Sequence, residues 1–274
     1  MNPWIRIIRP INGLMSIIAT SVSGFIGLGT AIIYFFNWKY ILFAVIVAFL
    51  ITCAGNVLND VVDVEIDKVN HPTRPIPAGQ INKNRALSVS IAFFGVGIIV
   101  SILTLHLISI IIAVIASILL AMYEVRIKQF GLSKNLTISL LVGLLFIFGG
   151  VSVNAGSKML ILFVLAFLAI FSREIIKDVE DISGDINRKT LPKRYGIKVA
   201  DYLAFVVVVV LVAISFLPYY LGILSVFYLY VVILADIVFL VSVSITFRSP
   251  TKGQQISKYA MIIALASFVI GELV

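Results

Sequence analysis

The residues of this chain that could do chemistry gather in two short stretches. GNVLNDVVDVEIDKVNHPTRPIPAG, residues 55–79, places Asp60, Asp63, Glu65 and Asp67 within eight positions. REIIKDVEDISGD, residues 173–185, adds Glu174, Asp178, Glu180, Asp181 and Asp185, so that nine of only 13 acidic residues lie in these two segments. Asp60, Asp63 and Asp67 are spaced by 3 and then 4 residues, Asp178, Asp181 and Asp185 likewise, and a constant offset of 118 relates the two sets. On a helix turning about 100° per residue, Asn56, Asn59, Asp60, Asp63 and Asp67 share an arc of ~100°, and so do Glu174, Lys177, Asp178, Asp181 and Asp185. Like charges on one stripe repel, and a bound cation reverses that sign. Carboxylate and amide oxygens suit hard cations, and Mg²⁺ in particular takes one or two protein carboxylates together with water and substrate phosphates. The chemistry this pattern fits is a metal-assisted grip on a diphosphate. A solvated acidic helix face is the simpler explanation of one such cluster; two with identical spacing, each ending an apolar run, point to one half-site used twice. Asp60 and Asp178 sit at or inside the apolar boundary, where an unpaired carboxylate costs on the order of 1–3 kcal/mol.

A diphosphate also needs cations of the protein's own. Arg74 lies in HPTRPIPAG, where prolines at 72, 75 and 77 stiffen the loop. Tyr123, Arg126 and Lys128 stand in YEVRIK, and Arg173 and Lys177 flank the second acidic set. Each basic residue here has a competing explanation in membrane topology.

The elements that must position these groups are membrane spans. Hydrophobic residues make up 61% of the chain and charged ones 12%, against roughly 45–50% and 25% in globular domains. Stretches near the ~20 apolar residues a spanning helix needs fall at 11–36, 40–59, 86–105, 107–123, 136–153, 159–177, 201–219, 221–247 and 257–273. Nine spans consume nearly the whole chain, which reads as a single membrane domain over 1–274. With the N-terminus in the cytoplasm, alternate loops place 19 of the 21 Lys and Arg on that side, as the positive-inside rule requires. The C-terminus then lies outside and the acidic clusters face the cytoplasm. The net charge of +8 is thus a topology signal, not a nucleic-acid footprint. The two arginines before the first apolar run suggest a signal peptide, but a run of 26 residues is too long for one and reads as a retained helix. One cysteine, Cys53, permits no intrachain disulfide, and His71 and His106 lack zinc-site spacing. Asp236 lies mid-span without a neighbouring partner in sequence.

NDVVDVEID with NHPTRPIPAG, then YEVRIK, then REIIKDVEDISGD with KTLPKRYG, resembles the UbiA superfamily of intramembrane prenyltransferases. Its first signature, NDxxDxxxD, is met by Asn59, Asp60, Asp63 and Asp67, and its second, DxxDxxxD, by Asp178, Asp181 and Asp185. The resemblance covers essentially the whole chain. It implies an all-α integral-membrane fold of nine transmembrane helices enclosing a central cavity, with two acidic half-sites at the cytoplasmic face. It implies Mg²⁺ held by Asp60, Asp63, Asp67, Asp178, Asp181 and Asp185. Substrate contacts are expected from Asn56, Asn59, Arg74, Arg126, Lys128, Arg173 and Lys177, and catalytic roles from Arg74, Tyr123, Lys128 and Lys177. RPINGLMS, GNVLND and DKVNHPTRPIPAG are similar to the branch that completes archaeal ether lipids. That likeness implies transfer of a geranylgeranyl group from geranylgeranyl diphosphate to geranylgeranylglyceryl phosphate within the lipid bilayer, with no nucleic-acid partner. An aromatic acceptor of quinone or haem biosynthesis is the alternative, since the diphosphate site would be the same. A transporter is the rival from another class, but transporter sites lie near the midplane on broken helices, whereas these acids end their spans.

Overall fold

A computed structural model describes residues 2–29, 38–182 and 190–273. Its elements are helical: α1 (Pro3–Ile7), α2 (Pro10–Leu28), α3 (Trp38–Val62), α4 (Val64–Asn70), α5 (Lys83–Ser101), α6 (Leu107–Val125), α7 (Gly131–Val151), α8 (Leu160–Glu180), α9 (Leu191–Tyr195), α10 (Ile197–Ile214), α11 (Leu217–Tyr220), α12 (Val226–Thr246) and α13 (Pro250–Leu273). Eight segments among the described residues are long and apolar enough to cross a membrane. They are α2, α3, α5 with its 3₁₀ extension to Thr104, α6, α7, α10 with α11, α12 and α13. The sixth expected span is α8. It is a full 21-residue helix, but its last two turns carry Arg173, Glu174, Lys177, Asp178 and Glu180, too much charge for an apolar crossing by composition.

The chain divides into two compact units, one of residues 1–126 with 144–157, the other of 127–143 with 158–274. In the first, α3 is the central helix and packs against α1, α2, α4, α5 and α6. Its middle carries Ala44, Val47 and Ile51 into a cluster with Ala113 and Phe148. Small residues let neighbours close in: a side chain at Gly149 would strike the Thr20 backbone oxygen, and the Ser23 hydroxyl donates to the Phe146 carbonyl nearby. Cys53, wholly buried, lies on the same central helix.

A second apolar cluster, of Ile7, Val57, Val61, Val64, Ile76, Ile81 and Ala86, seats the proline-rich loop on the end of α3. The loop folds back through amide bonds from Gln80 (2.9 Å) and Ile81 (3.1 Å) to the Pro75 carbonyl. It turns at Gly79, whose φ of +71° lies where a side chain is disfavoured. In the second unit α8 packs against α9, α10, α11 and α13, and α12 lies along α13. Ile175, Ile176 and Val179 bury the apolar side of the charged end of α8.

Candidate functional site

The first cluster forms where α3 passes into α4. Helical bonding continues through the join, from the Asp63 amide to the Asn59 carbonyl (2.9 Å) and from the Asp67 amide to the Asp63 carbonyl (2.8 Å). Asp63, at φ −87° and ψ 8°, only bends the path. The stripe expected from the spacing therefore survives as a bent one. Asp60, Asp63 and Asp67 are 2%, 9% and 3% exposed, and charges so buried must be paired. Arg9 Nη2 donates to Asn59 Oδ1 (2.7 Å) and to Asp60 Oδ1 (2.5 Å). Arg74 Nη1 lies 2.5 Å from Asp67 Oδ2 and 3.7 Å from Asp60 Oδ1. Asn59 Nδ2 in turn donates to Asp63 Oδ2 (3.1 Å) and to Glu124 Oε2 at the end of α6 (2.6 Å). Asn56 donates to the Ile8 carbonyl (2.9 Å) and accepts from Asn12 (3.2 Å), tying α3 to the chain on either side of Arg9. Arg9 itself holds a left-handed backbone, φ 50° and ψ 72°, just before Pro10. Such a conformation is uncommon for a side-chain-bearing residue and persists where its surroundings fix it. Arg6 Nη2 donates to the Thr73 carbonyl (2.7 Å), holding the Arg74 loop from the same side.

The second cluster stands on α8. Asp178, with no exposed surface, takes an ion pair from Lys134 on one oxygen and a hydrogen bond from Asn135 Nδ2 (2.9 Å) on the other. Both partners come from the first turns of α7. Asp181 caps α8 and is exposed, Lys177 is half-buried, and Arg173 pairs with its neighbour Glu174 (2.8 Å). Asp185 lies outside the described residues. The two clusters share a plan. The leading aspartate of each, Asp60 or Asp178, is sealed from solvent and met by a basic residue at the start of the preceding long helix, Arg9 before α2 or Lys134 in α7. An asparagine amide accompanies each, Asn59 or Asn135.

Of the remaining sequence-predicted residues, Tyr123 is half-buried and Arg126 exposed at the end of α6. Lys128 is buried in the following 3₁₀ turn. Arg9, Glu124, Lys134 and Asn135 were not singled out by the sequence. Arg9 and Lys134 read as topology charges, and the visible sign of the others was only a polar side chain at the edge of an apolar helix. Asp236 serves a helix break. It accepts from the Ser215 hydroxyl (2.7 Å) where α10 ends, and Tyr228 donates to the Ser215 carbonyl (2.6 Å).

Among the described residues, no three Asp, Glu, His or Cys side chains converge on a ready-made metal cage. Guanidinium and ammonium groups sit on oxygens of Asp60, Asp67 and Asp178. The donor set fits a hard cation, since it consists of carboxylate and amide oxygens, and those of Asp60, Asp67 and Asp178 already take positive charge.

Each cluster, with buried carboxylates at the end of a long helix and cations upon them, has the chemistry to bind a metal ion and, through it, a phosphate. The chain belongs to the UbiA prenyltransferase family, which matches residues 20–268, and it is a prenyltransferase. It is 40% identical to a digeranylgeranylglyceryl phosphate synthase of Methanosphaera stadtmanae over 100% of both chains. It is 39% identical to one of Methanosarcina mazei over 82% of this chain and 80% of that one. A solved structure of digeranylgeranylglyceryl phosphate synthase matches with a TM-score of 0.85 at 32% identity, over 99% of this chain and 98% of that one. A UbiA homologue from Archaeoglobus fulgidus, solved with GPP and Mg²⁺, shares the fold at 15% identity with a TM-score of 0.68, over 98% of this chain and 100% of that one.

Proposed function

We propose that this chain transfers a geranylgeranyl group from geranylgeranyl diphosphate to the free hydroxyl of geranylgeranylglyceryl phosphate, forming the second ether bond of an archaeal membrane lipid. The observation that carries this reading is the end-to-end match to enzymes of that name. The two aspartate clusters supply its chemistry. Asn59, Asp60, Asp63 and Asp67 hold Mg²⁺ at the first cluster, and Asp178, Asp181 and Asp185 at the second. Mg²⁺, when bound, supplies positive charge against the diphosphate oxygens as the allylic C–O bond breaks. Arg74, Lys128 and Lys177 meet the charge that grows on the leaving group, and such groups accelerate the step because they favour the dissociating state over the ground state. Tyr123 orients the diphosphate, and Asn56 keeps Asn59 and Arg9 in register. Arg126 and Arg173 take the acceptor's phosphate. The apolar spans keep water from the allylic cation.

The chain acts as one membrane domain, in keeping with a family match over most of its length. In this reading α8 is the ninth span, its charged end at the cytoplasmic surface with the N-terminus, and the C-terminus is outside. The test is transfer from labelled geranylgeranyl diphosphate by the purified protein, with Mg²⁺ and with EDTA, offering geranylgeranylglyceryl phosphate and 4-hydroxybenzoate separately. Metal-dependent labelling of the glyceryl phosphate alone is expected. Labelling of the aromatic acid alone would overturn the acceptor while leaving the diphosphate site standing.

A further inference from the structure

The second cluster lacks, in sequence, the asparagine that precedes the first aspartate of the other: the position equivalent to Asn59 is Lys177. The fold brings an amide there from elsewhere. Asn135, on α7 and 0% exposed, donates its Nδ2 to Asp178 Oδ2 at 2.9 Å. That bond fixes which way the amide points, because a flipped amide would set its oxygen against a carboxylate oxygen. The correctly oriented Oδ1 is buried and has no hydrogen-bond partner among the described residues. A buried carbonyl oxygen left without a partner is costly, and native proteins rarely leave one unless something else meets it. In the first cluster the corresponding oxygen, Asn59 Oδ1, is met by a positive charge, the Arg9 guanidinium. In the second the positive charge of Lys134 sits on Asp178 instead, so the amide oxygen beside it lacks the cation that its counterpart has.

We propose that Asn135 Oδ1 is a metal-binding oxygen of the second cluster. This rests on the metal-dependent reading given above. Asp178, with Lys134 on one oxygen and Asn135 on the other, also orients that amide.

Titration of the purified full chain with Mn²⁺, followed by the EPR signal of the free ion, tests the assignment. Asp63→Asn/Asp67→Asn silences the first cluster, so that the second is read alone, without and with geranylgeranyl diphosphate. In that background Asn135→Ala is expected to weaken Mn²⁺ binding about tenfold or more, as is Asp181→Asn. Asn135→Asp separates a ligand role from a packing role. It keeps an oxygen but loses the donor to Asp178, so it is expected to melt at a lower temperature in EDTA yet bind Mn²⁺ at least as tightly as the parent. Asn135→Ala with parental Mn²⁺ affinity, while Asp181→Asn loses it, would overturn the assignment and leave a water as the partner of Oδ1. Equal loss of Mn²⁺ in Asn135→Ala and Asn135→Asp would also overturn it, reducing Asn135 to a support for Asp178. No Mn²⁺ binding in the wild-type chain, with or without diphosphate, would overturn the metal reading itself.

Discussion

Lys134 and Asp178 form an ion pair sealed from solvent, the lysine side chain 6% exposed and the aspartate 0%. Removing one partner of a buried pair strands the other charge, at a cost of about 3–5 kcal/mol, whereas replacing both is far milder. Lys134→Met should therefore lower the melting temperature in detergent sharply, and Lys134→Met/Asp178→Asn should recover much of the loss. A double variant no more stable than Lys134→Met would mean that the pair is not coupled.

Arg9 occupies two oxygens that a metal ion would use, Asn59 Oδ1 and Asp60 Oδ1. Its side chain is 32% exposed, which limits its worth to stability to about 1 kcal/mol. Arg9→Ala is expected to lower the melting temperature slightly in EDTA and to gain more from added Mg²⁺ than the wild type does. Equal Mg²⁺-dependent shifts in the two proteins would show that the guanidinium and the metal do not compete.

Asp60 and Asp67 each touch Arg74 and share the same buried network. Asp67→Asn keeps size and most hydrogen bonding but removes a charge. Transfer should fall by about 10²–10³-fold, the scale of losing one preorganised electrostatic contact, while the protein stays folded. Loss of less than tenfold at saturating Mg²⁺ would remove Asp67 from the metal set.

Glu124 meets the first signature at Asn59. Glu124→Gln can still accept from Asn59 Nδ2, so it should retain stability and most activity, whereas Glu124→Ala removes the shorter of the two hydrogen bonds that this nitrogen donates. The expected sign is a higher Mg²⁺ requirement in Glu124→Ala than in Glu124→Gln, read from activity against metal concentration. Identical metal curves would make Glu124 a packing residue.

The loop carrying Arg74 hangs on Ile76 and on the turn at Gly79. Ile76→Ala deletes buried atoms at about 2–5 kcal/mol, and a side chain at the positive φ of Gly79 costs about 1–2 kcal/mol. Both should raise the KM for the diphosphate substrate more than Asn82→Ala, a helix-cap change beyond the loop.

What the sequence could and could not show follows from the range of each interaction. The aspartate stripes were legible because spacings of 3 and 4 are local helix geometry. The join at Asp63 was not, because the bend leaves the hydrogen-bond pattern unbroken. Helix α3 runs three residues past the apolar run expected to end at 59, since Asp60 finds its counter-charge on Arg9 and does not have to reach water. That partner lies 51 residues away in the chain, and Lys134 and Asn135 lie 44 and 43 from Asp178. Nothing local distinguishes such residues from the Lys and Arg that set topology. The span at 159–177 carried its own sign of difference, the charge that makes the end of α8 polar.

Cys53 is the chain's one thiol and lies fully buried in the central helix of its unit. A membrane-impermeant maleimide should pass it by, so the natural chain already serves as the silent background for single-cysteine labelling. Reporters placed at the exposed positions Lys39, Lys68 or Lys158 could then read sidedness directly in sealed vesicles, with no substitution at Cys53 to disturb the helix that carries the first aspartates.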